Sequence, residues 1–266
     1  NGHIGIRGNL DEGDPSAIPG TYLNGVHESR PLPYAENAFG NPEAGETVLN
    51  VTDGKLLRLL IDDELLDVRH GELIEHERCL DLREGVLTRN VVWRSPAGPV
   101  VRVGSTRLVS FVQRGVAAVL YEVQAVSEDI RIVVQSELVA NENGHNDGAS
   151  IDGAGDPRQA AMLGDAFVAE EQFAHGDTVL LIHSTRASRI RVGAAMAHAV
   201  DGPEGLEVDT DVVPDVGLVT IAADVAKGQT LRVLKYITYG WSAHRSLPSV
   251  RAQVLGALAE ARHTGW

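Results

Sequence analysis

The sequence predicts an all-β fold: an antiparallel two-sheet sandwich followed by a single C-terminal helix. Three observations carry this. Apolar and polar residues alternate with a period of two from about residue 46 to 240, turn signals recur at short spacing between the alternating runs, and the period changes once, at the C-terminus. Alternation of this kind gives strands with one buried and one wet face. Many short strands separated by turns indicate an antiparallel sandwich rather than βαβ units.

The chain opens on NGHIGIRGNLDEG, with glycines at 2, 5, 8 and 13. Their spacing meets neither G-x-G-x-x-G nor G-x-x-x-x-G-K-[ST], so the stretch is not a phosphate cradle. It reads as tight turns that need positive φ or close backbone approach. ETVLNVTD and LLRLLID follow as short Val- and Leu-rich runs. In VLTRNVVWR (86–94), Leu87, Val91 and Trp93 share one side with Arg89 among them. In IRIVVQSEL, Ile130, Ile132, Val134 and Leu138 fall on one face, and Arg131, Gln135 and Glu137 on the other. LRVLKYITY (231–239) places Leu231, Val233, Ile237 and Tyr239 together. The turn signals are DG at 53–54, RHG at 69–71, SPAG at 95–98 and AKGQ at 226–229. Two polar, glycine-containing stretches, 140–159 and 200–217, read as long surface loops. No internal repeat is visible.

At the C-terminus Ser246 is placed to cap, Pro248 sits in the first turn, and Val250, Val254, Leu255 and Leu258 form one apolar stripe. Gly265 is placed to end the helix.

Composition narrows the function classes. Among 266 residues, 23 Lys+Arg against 37 Asp+Glu give a net charge of −14, which disfavours nucleic acid and anionic membrane surfaces as partners. One cysteine, Cys79, excludes an internal disulfide and suits a reducing cytosol, so a cytoplasmic location is expected. Nothing resembles a signal peptide, no apolar run approaches membrane-spanning length, and the Asn50-Val51-Thr52 acceptor is read as chance.

No chemistry-bearing motif emerges from the residues alone. His70, His76 and His145 stand without an H-E-x-x-H or H-x-H pattern, so no metal is expected. Asp62-Asp63-Glu64 and Asp209-Thr210-Asp211 do not continue as calcium loops and read as charged turns. Ser184 and Ser246 lack a G-x-S-x-G setting.

NGHIGIRGNLDEG, PGTYLNGVHE and RHGELIEHERCLDLREGVLTRNVVWRSPAG, in that order, resemble the N-terminal domain of glycoside hydrolase family 65. That family holds the kojibiose, maltose, nigerose and trehalose phosphorylases, with trehalose hydrolases beside them. Arg78, Leu80, Asp81, Leu82, Gly85, Leu87, Arg89 and Trp93 fit its R-x-L-D-x-x-x-G-x-L-x-R…W pattern, and Arg107 and Ser110 the R-x-x-S that follows. The resemblance implies a large super-sandwich similar to galactose mutarotase over 1–243. It implies that 244–266 starts a helical linker to an (α/α)6 barrel, which would be this chain's partner in the parent enzyme. The catalytic glutamic acid and phosphate-holding groups belong to that barrel, so no catalytic residue is expected here. The parent reaction would be inverting, with inorganic phosphate as co-substrate if it is a phosphorylase and no other cofactor; its carbohydrate substrate would be met through the parent. Arg7, Asn9 and Glu12 are the expected residues at the domain interface or active-site rim, beside a plain role in turns. The terminal stripe, deprived of the barrel, is expected to leave the helix unsettled and to favour a homodimer.

Two alternatives stay open. A stand-alone carbohydrate-binding sandwich needs exposed aromatics on a concave face, and the chain has only 3 Trp, 5 Tyr and 4 Phe. A mutarotase-like sugar epimerase needs a His and a Glu positioned in a cleft.

Overall fold

The computed structural model describes residues 1–13, 20–31, 44–141 and 166–266. Two short hairpins come first: β1 (Ile4–Ile6) with β2 (Thr21–Leu23), and β3 (His27–Pro31) with β4 (Ala44–Val48). The sandwich strands follow: β5 (Leu57–Ile61), β6 (Glu64–Leu65), β7 (Glu72–Asp81), β8 (Val86–Arg94), β9 (Val100–Val109), β10 (Val116–Ala125), β11 (Ile130–Val139), β12 (Phe167–His175), β13 (Thr178–Thr185), β14 (Arg191–Asp201), β15 (Glu207–Val213), β16 (Val216–Val225) and β17 (Thr230–Ser242). Helix α1 (Leu247–Thr264) ends the chain. The order β12-β13-β14-β17-β10-β9-β8-β7 forms an eight-stranded sheet, and β15-β16-β11-β5-β6 a five-stranded one. All pairings are antiparallel.

The inward faces follow the alternation. Leu231, Val233, Ile237 and Tyr239 of β17 meet Ile130, Ile132, Val134 and Leu138 of β11 in one core with Val91 and Trp93 of β8. Each large side chain buried there contributes about 1.5–3 kcal/mol. Trp93 also satisfies its indole N–H on the His70 carbonyl at 2.8 Å.

Four expectations are corrected or refined. Residues 200–217 are not one loop, because they contain β15 and the Pro214-Asp215 connection to β16. β15 lies at a sheet edge, where few apolar side chains are needed, so its acidic composition hides it. Asp53-Gly54 is no surface turn. Asp53 is fully buried and exchanges backbone hydrogen bonds with Val139 at 2.7 and 2.9 Å. A Cβ on Gly54 would lie 2.7 Å from Ile237 Cγ2, so this glycine permits close packing. In the opening stretch positive φ occurs at Gly2 and Gly13 but not at Gly5 or Gly8. The expected loop at 140–159, with His145, falls almost wholly outside the described residues.

The helix is the fourth. Ser246 is extended and makes no side-chain cap bond, though its carbonyl accepts from Val250 N at 3.1 Å. Gly265 (φ 73°) closes the end, bonding Ala261 O at 3.0 Å. Val250, Val254, Leu258 and Ala261 are buried against Leu180, Ile182, Ala195, Ala197 and Tyr236 on the outer face of the eight-stranded sheet, with Leu255 half-buried. The stripe therefore has a partner within this chain, and the expected unsettled helix is not observed.

Candidate functional site

The strand register brings charge into the sandwich. Arg89 of β8, Ser105 of β9 and Tyr121 of β10 stand in one cross-strand row, and Arg107 lies one step along β9 between Leu87 and Val119. These positions are in phase with Val91, Val103 and Val123, so two arginines point where the alternation calls for apolar side chains. Opening residues 7–13 cover them and supply the compensating groups.

Arg107 donates from Nε to Asp11 Oδ1 at 3.1 Å, and from Nη2 to the same carboxylate. It also donates to the carbonyls of Arg7 and Asn9, each at 3.0 Å. Ser105 Oγ donates to Asp11 Oδ2 at 2.6 Å. Arg89 Nη1 donates to both oxygens of Glu12, at 2.9 and 2.6 Å, and Tyr121 donates its hydroxyl to Glu12. Asp11, Glu12, Arg89 and Arg107 are all more than nine-tenths buried. Burial raises the Glu12 carboxyl above the ordinary range in spite of Arg89, and holds the Tyr121 phenol well above its own. For Arg89, burial opposes the charge, but Glu12, Tyr121 and Asp11 outweigh it and the net shift is upward.

A second polar cluster sits deeper. Lys55 pairs with Asp53, and Lys235 of β17 donates to the carbonyls of Leu56 at 3.0 Å and Glu137 at 2.8 Å, tying the two sheets together. Tyr239 donates to Thr52 O at 3.0 Å. Burial pushes the Lys235 ammonium down to about 7, with Asp53 and Glu137 acting against it.

Chemically, both clusters are closed. Their carboxylates are spent on the arginines, Lys55, Ser105 and Tyr121, and Lys235 on backbone carbonyls, while the Nε and Nη2 of Arg89 have no partner among the described residues. Among the described residues no three His, Cys, Asp or Glu side chains converge to hold a metal, and no helix is long and apolar enough to cross a membrane.

One open cleft, of about 660 Å³, lies between residues 2–5, residues 22–27, Glu46 and Val48. His27 and Glu46 stand within it, 3.4 Å apart. Among the described residues the exposed aromatics are Phe111 on a turn, Phe173 on β12 and Trp266 at the C-terminus.

The three expected rim residues are not brought together. Arg7 is exposed, with its guanidinium 5.9 Å from the Tyr22 ring centroid. Asn9 is half-buried and its carbonyl serves Arg107. Glu12 turns into the sandwich. Asp11 and Lys235 escaped sequence reasoning, and Arg107 was marked only as part of the R-x-x-S motif, not as the partner of Asp11. For Lys235 a signal existed, since it shares a parity with Leu231, Val233, Ile237 and Tyr239.

The opening segment, the R-x-L-D hairpin and the arginines they bury coincide with the motifs that carry the family resemblance, and the family comparison decides the matter. The glycosyl hydrolase family 65 N-terminal domain model matches residues 1–266. The chain belongs to that family. An uncharacterized glycosyl hydrolase of Mycobacterium tuberculosis is 53% identical to this family 65 domain over 266 residues, covering 100% of this chain and 33% of the relative. The α,α-trehalose phosphorylase of Thermoanaerobacter brockii is 27% identical over 271 residues, covering 100% of this chain and 34% of the phosphorylase. The solved structure of a candidate kojibiose phosphorylase from the human microbiome superimposes with a TM-score of 0.84 at 18% identity, covering 100% of this chain and 33% of that one, and so shares the fold. The domain thus spans about a third of the length of the curated relatives it matches.

Proposed function

We propose that this family 65 domain is the non-catalytic N-terminal part of a longer inverting enzyme acting on an α-linked glucose disaccharide, and that it supports that enzyme's catalytic barrel. The observation that carries the reading is that the chain spans about a third of the length of the relatives it matches, while Asp11 and Glu12 are buried against Arg107 and Arg89. In the parent, an acid on the barrel protonates the glycosidic oxygen while phosphate or water attacks the anomeric carbon from the opposite face. Inorganic phosphate is then the co-substrate of a phosphorylase, and no other cofactor takes part. Residues 244–266 begin the linker, Arg7 is the one proposed rim residue whose side chain remains exposed, and the enzyme works in the cytoplasm, as a homodimer if the domain also assembles.

The test is to incubate the longer protein with trehalose, kojibiose and maltose, with and without phosphate, and to follow the products by NMR before the anomers equilibrate. Phosphate-dependent release of β-glucose 1-phosphate identifies a phosphorylase, and β-glucose without phosphate dependence a hydrolase. Retention of configuration, or no cleavage of any α-glucoside, overturns the reading.

A further inference from the structure

The Arg89 guanidinium is used on one nitrogen only. Both oxygens of Glu12 sit on Nη1, while Nε and Nη2, equally buried, have no hydrogen-bond partner among the described residues. That Nε–Nη2 edge is the one that grips a carboxylate with two parallel N–H groups. Elsewhere in this chain it does so: Arg69, Arg107, Arg191 and Arg251 each present Nε and Nη2 to Asp67, Asp11, Glu170 and Glu171 respectively. A buried, charged donor pair left unmade is costly, and native structures rarely keep one without a ligand.

The surroundings are unbalanced in the same sense. Arg78 of β7 is the direct cross-strand partner of Arg89, and His76 stands opposite Val91, diagonal to it. Like charges directly opposite each other oppose strand pairing unless an anion lies between them. Among the described residues Asp11 and Glu12 pair with Arg107 and Arg89, and Arg78, opposite Arg89, adds a third guanidinium with no carboxylate partner, in a chain whose net charge is −14. The carboxylates of β7 do not help. Glu75 and Glu77 are paired with Val92 and Asn90, on the other face, and Asp81 bonds the amides of Arg83 and Glu84. The His76 imidazole is held below its ordinary range by burial, then by Arg89 and Arg78. Arg78 donates to Gly8 O, so the opening segment borders the same spot.

We propose that the β7–β8 face beside the opening segment binds a compact oxyanion, gripped by the Nε–Nη2 edge of Arg89 and flanked by Arg78 and His76. Arg78 is exposed, and its turning aside admits the ligand. The shared chemistry is a planar carboxylate or tetrahedral phosphate group, supplied either free in solution or by a side chain of the longer protein.

The experiment is a titration of the 266-residue chain with inorganic phosphate, sulfate and acetate, each against chloride at matched ionic strength, read on the His76 ring by NMR. A saturable shift is expected, with the His76 midpoint raised by about one pH unit by the neighbouring anion. Arg89→Lys keeps a charge for Glu12 but lacks the fork, and should weaken binding by about tenfold or more. Arg78→Gln, at an exposed position, weakens it while leaving the fold intact, and serves if Arg89→Lys does not fold. In the longer protein, a His76 midpoint already raised and insensitive to phosphate assigns the oxyanion to a carboxylate of that protein, whereas a retained response assigns a free ion. A response no larger than with chloride, or one unchanged in Arg78→Gln, overturns the site.

Discussion

Arg107 holds the opening segment by its main chain as well as by a charge, bonding Asp11 and the carbonyls of Arg7 and Asn9 at once. Arg107→Ala would strand Asp11 without its main partner, and breaking a buried pair in this way costs about 3–5 kcal/mol. Chemical denaturation should show that loss; a change below about 1 kcal/mol would mean the segment is held by its turns alone. Lys235 and His198 each contribute to the pH response. Lys235 is depressed from 10.5 to about 7 by burial, so between those values the unfolded chain binds more protons and stability rises with pH. His198 is depressed from 6.5 to about 3, again mainly by burial, so the stability it contributes above 6.5 is lost as pH falls toward 3. Lys235→Met should flatten the upper slope and leave the lower one; an unchanged upper slope would show that Lys235 keeps its proton throughout. At this scale the sequence was least legible. Arg89 could be placed on an inward face by parity, but its partner Glu12 lies 77 residues away in a segment with no period of its own.

At the scale of elements, α1 lies close on the sheet because β14 and β17 offer it glycines. A Cβ at Gly240 would come within 2.8 Å of Val254 Cγ2, and one at Gly193 within 3.0 Å. Gly240→Ala should therefore cost about 1–3 kcal/mol through overpacking, and adding Val254→Ala should recover part of it. Strictly additive losses in the double-mutant cycle would place the strain elsewhere. Most elements were legible because half-buried strands must alternate, as β11 does from Ile130 to Ser136 and β17 from Thr230 to Lys235. β15 was not, since an edge strand can be Glu-Val-Asp-Thr-Asp-Val-Val and still pair with β16 throughout. The helix was legible as a helix, but not its partner: Leu180, Ile182, Ala195 and Ala197 lie on strands apolar on both faces, and that second face is what α1 covers.

For the whole molecule, the two sheets close over one core and α1 adds a second on the outer face. The 266-residue chain should accordingly fold alone, with a far-ultraviolet circular dichroism spectrum dominated by β structure and one cooperative unfolding transition. Two separated transitions would detach α1 from the sandwich. The enclosed Asp11–Arg107 and Glu12–Arg89 pairs support the proposal that this domain carries no catalytic group, and that proposal is the central claim. It is tested most directly by incubating the purified 266-residue chain with trehalose, kojibiose and maltose in phosphate buffer and measuring released glucose and glucose 1-phosphate. No turnover above a mock preparation is predicted. Turnover that copurifies with the chain and disappears in a Glu12→Gln variant would contradict the account and place the catalytic acid inside this domain.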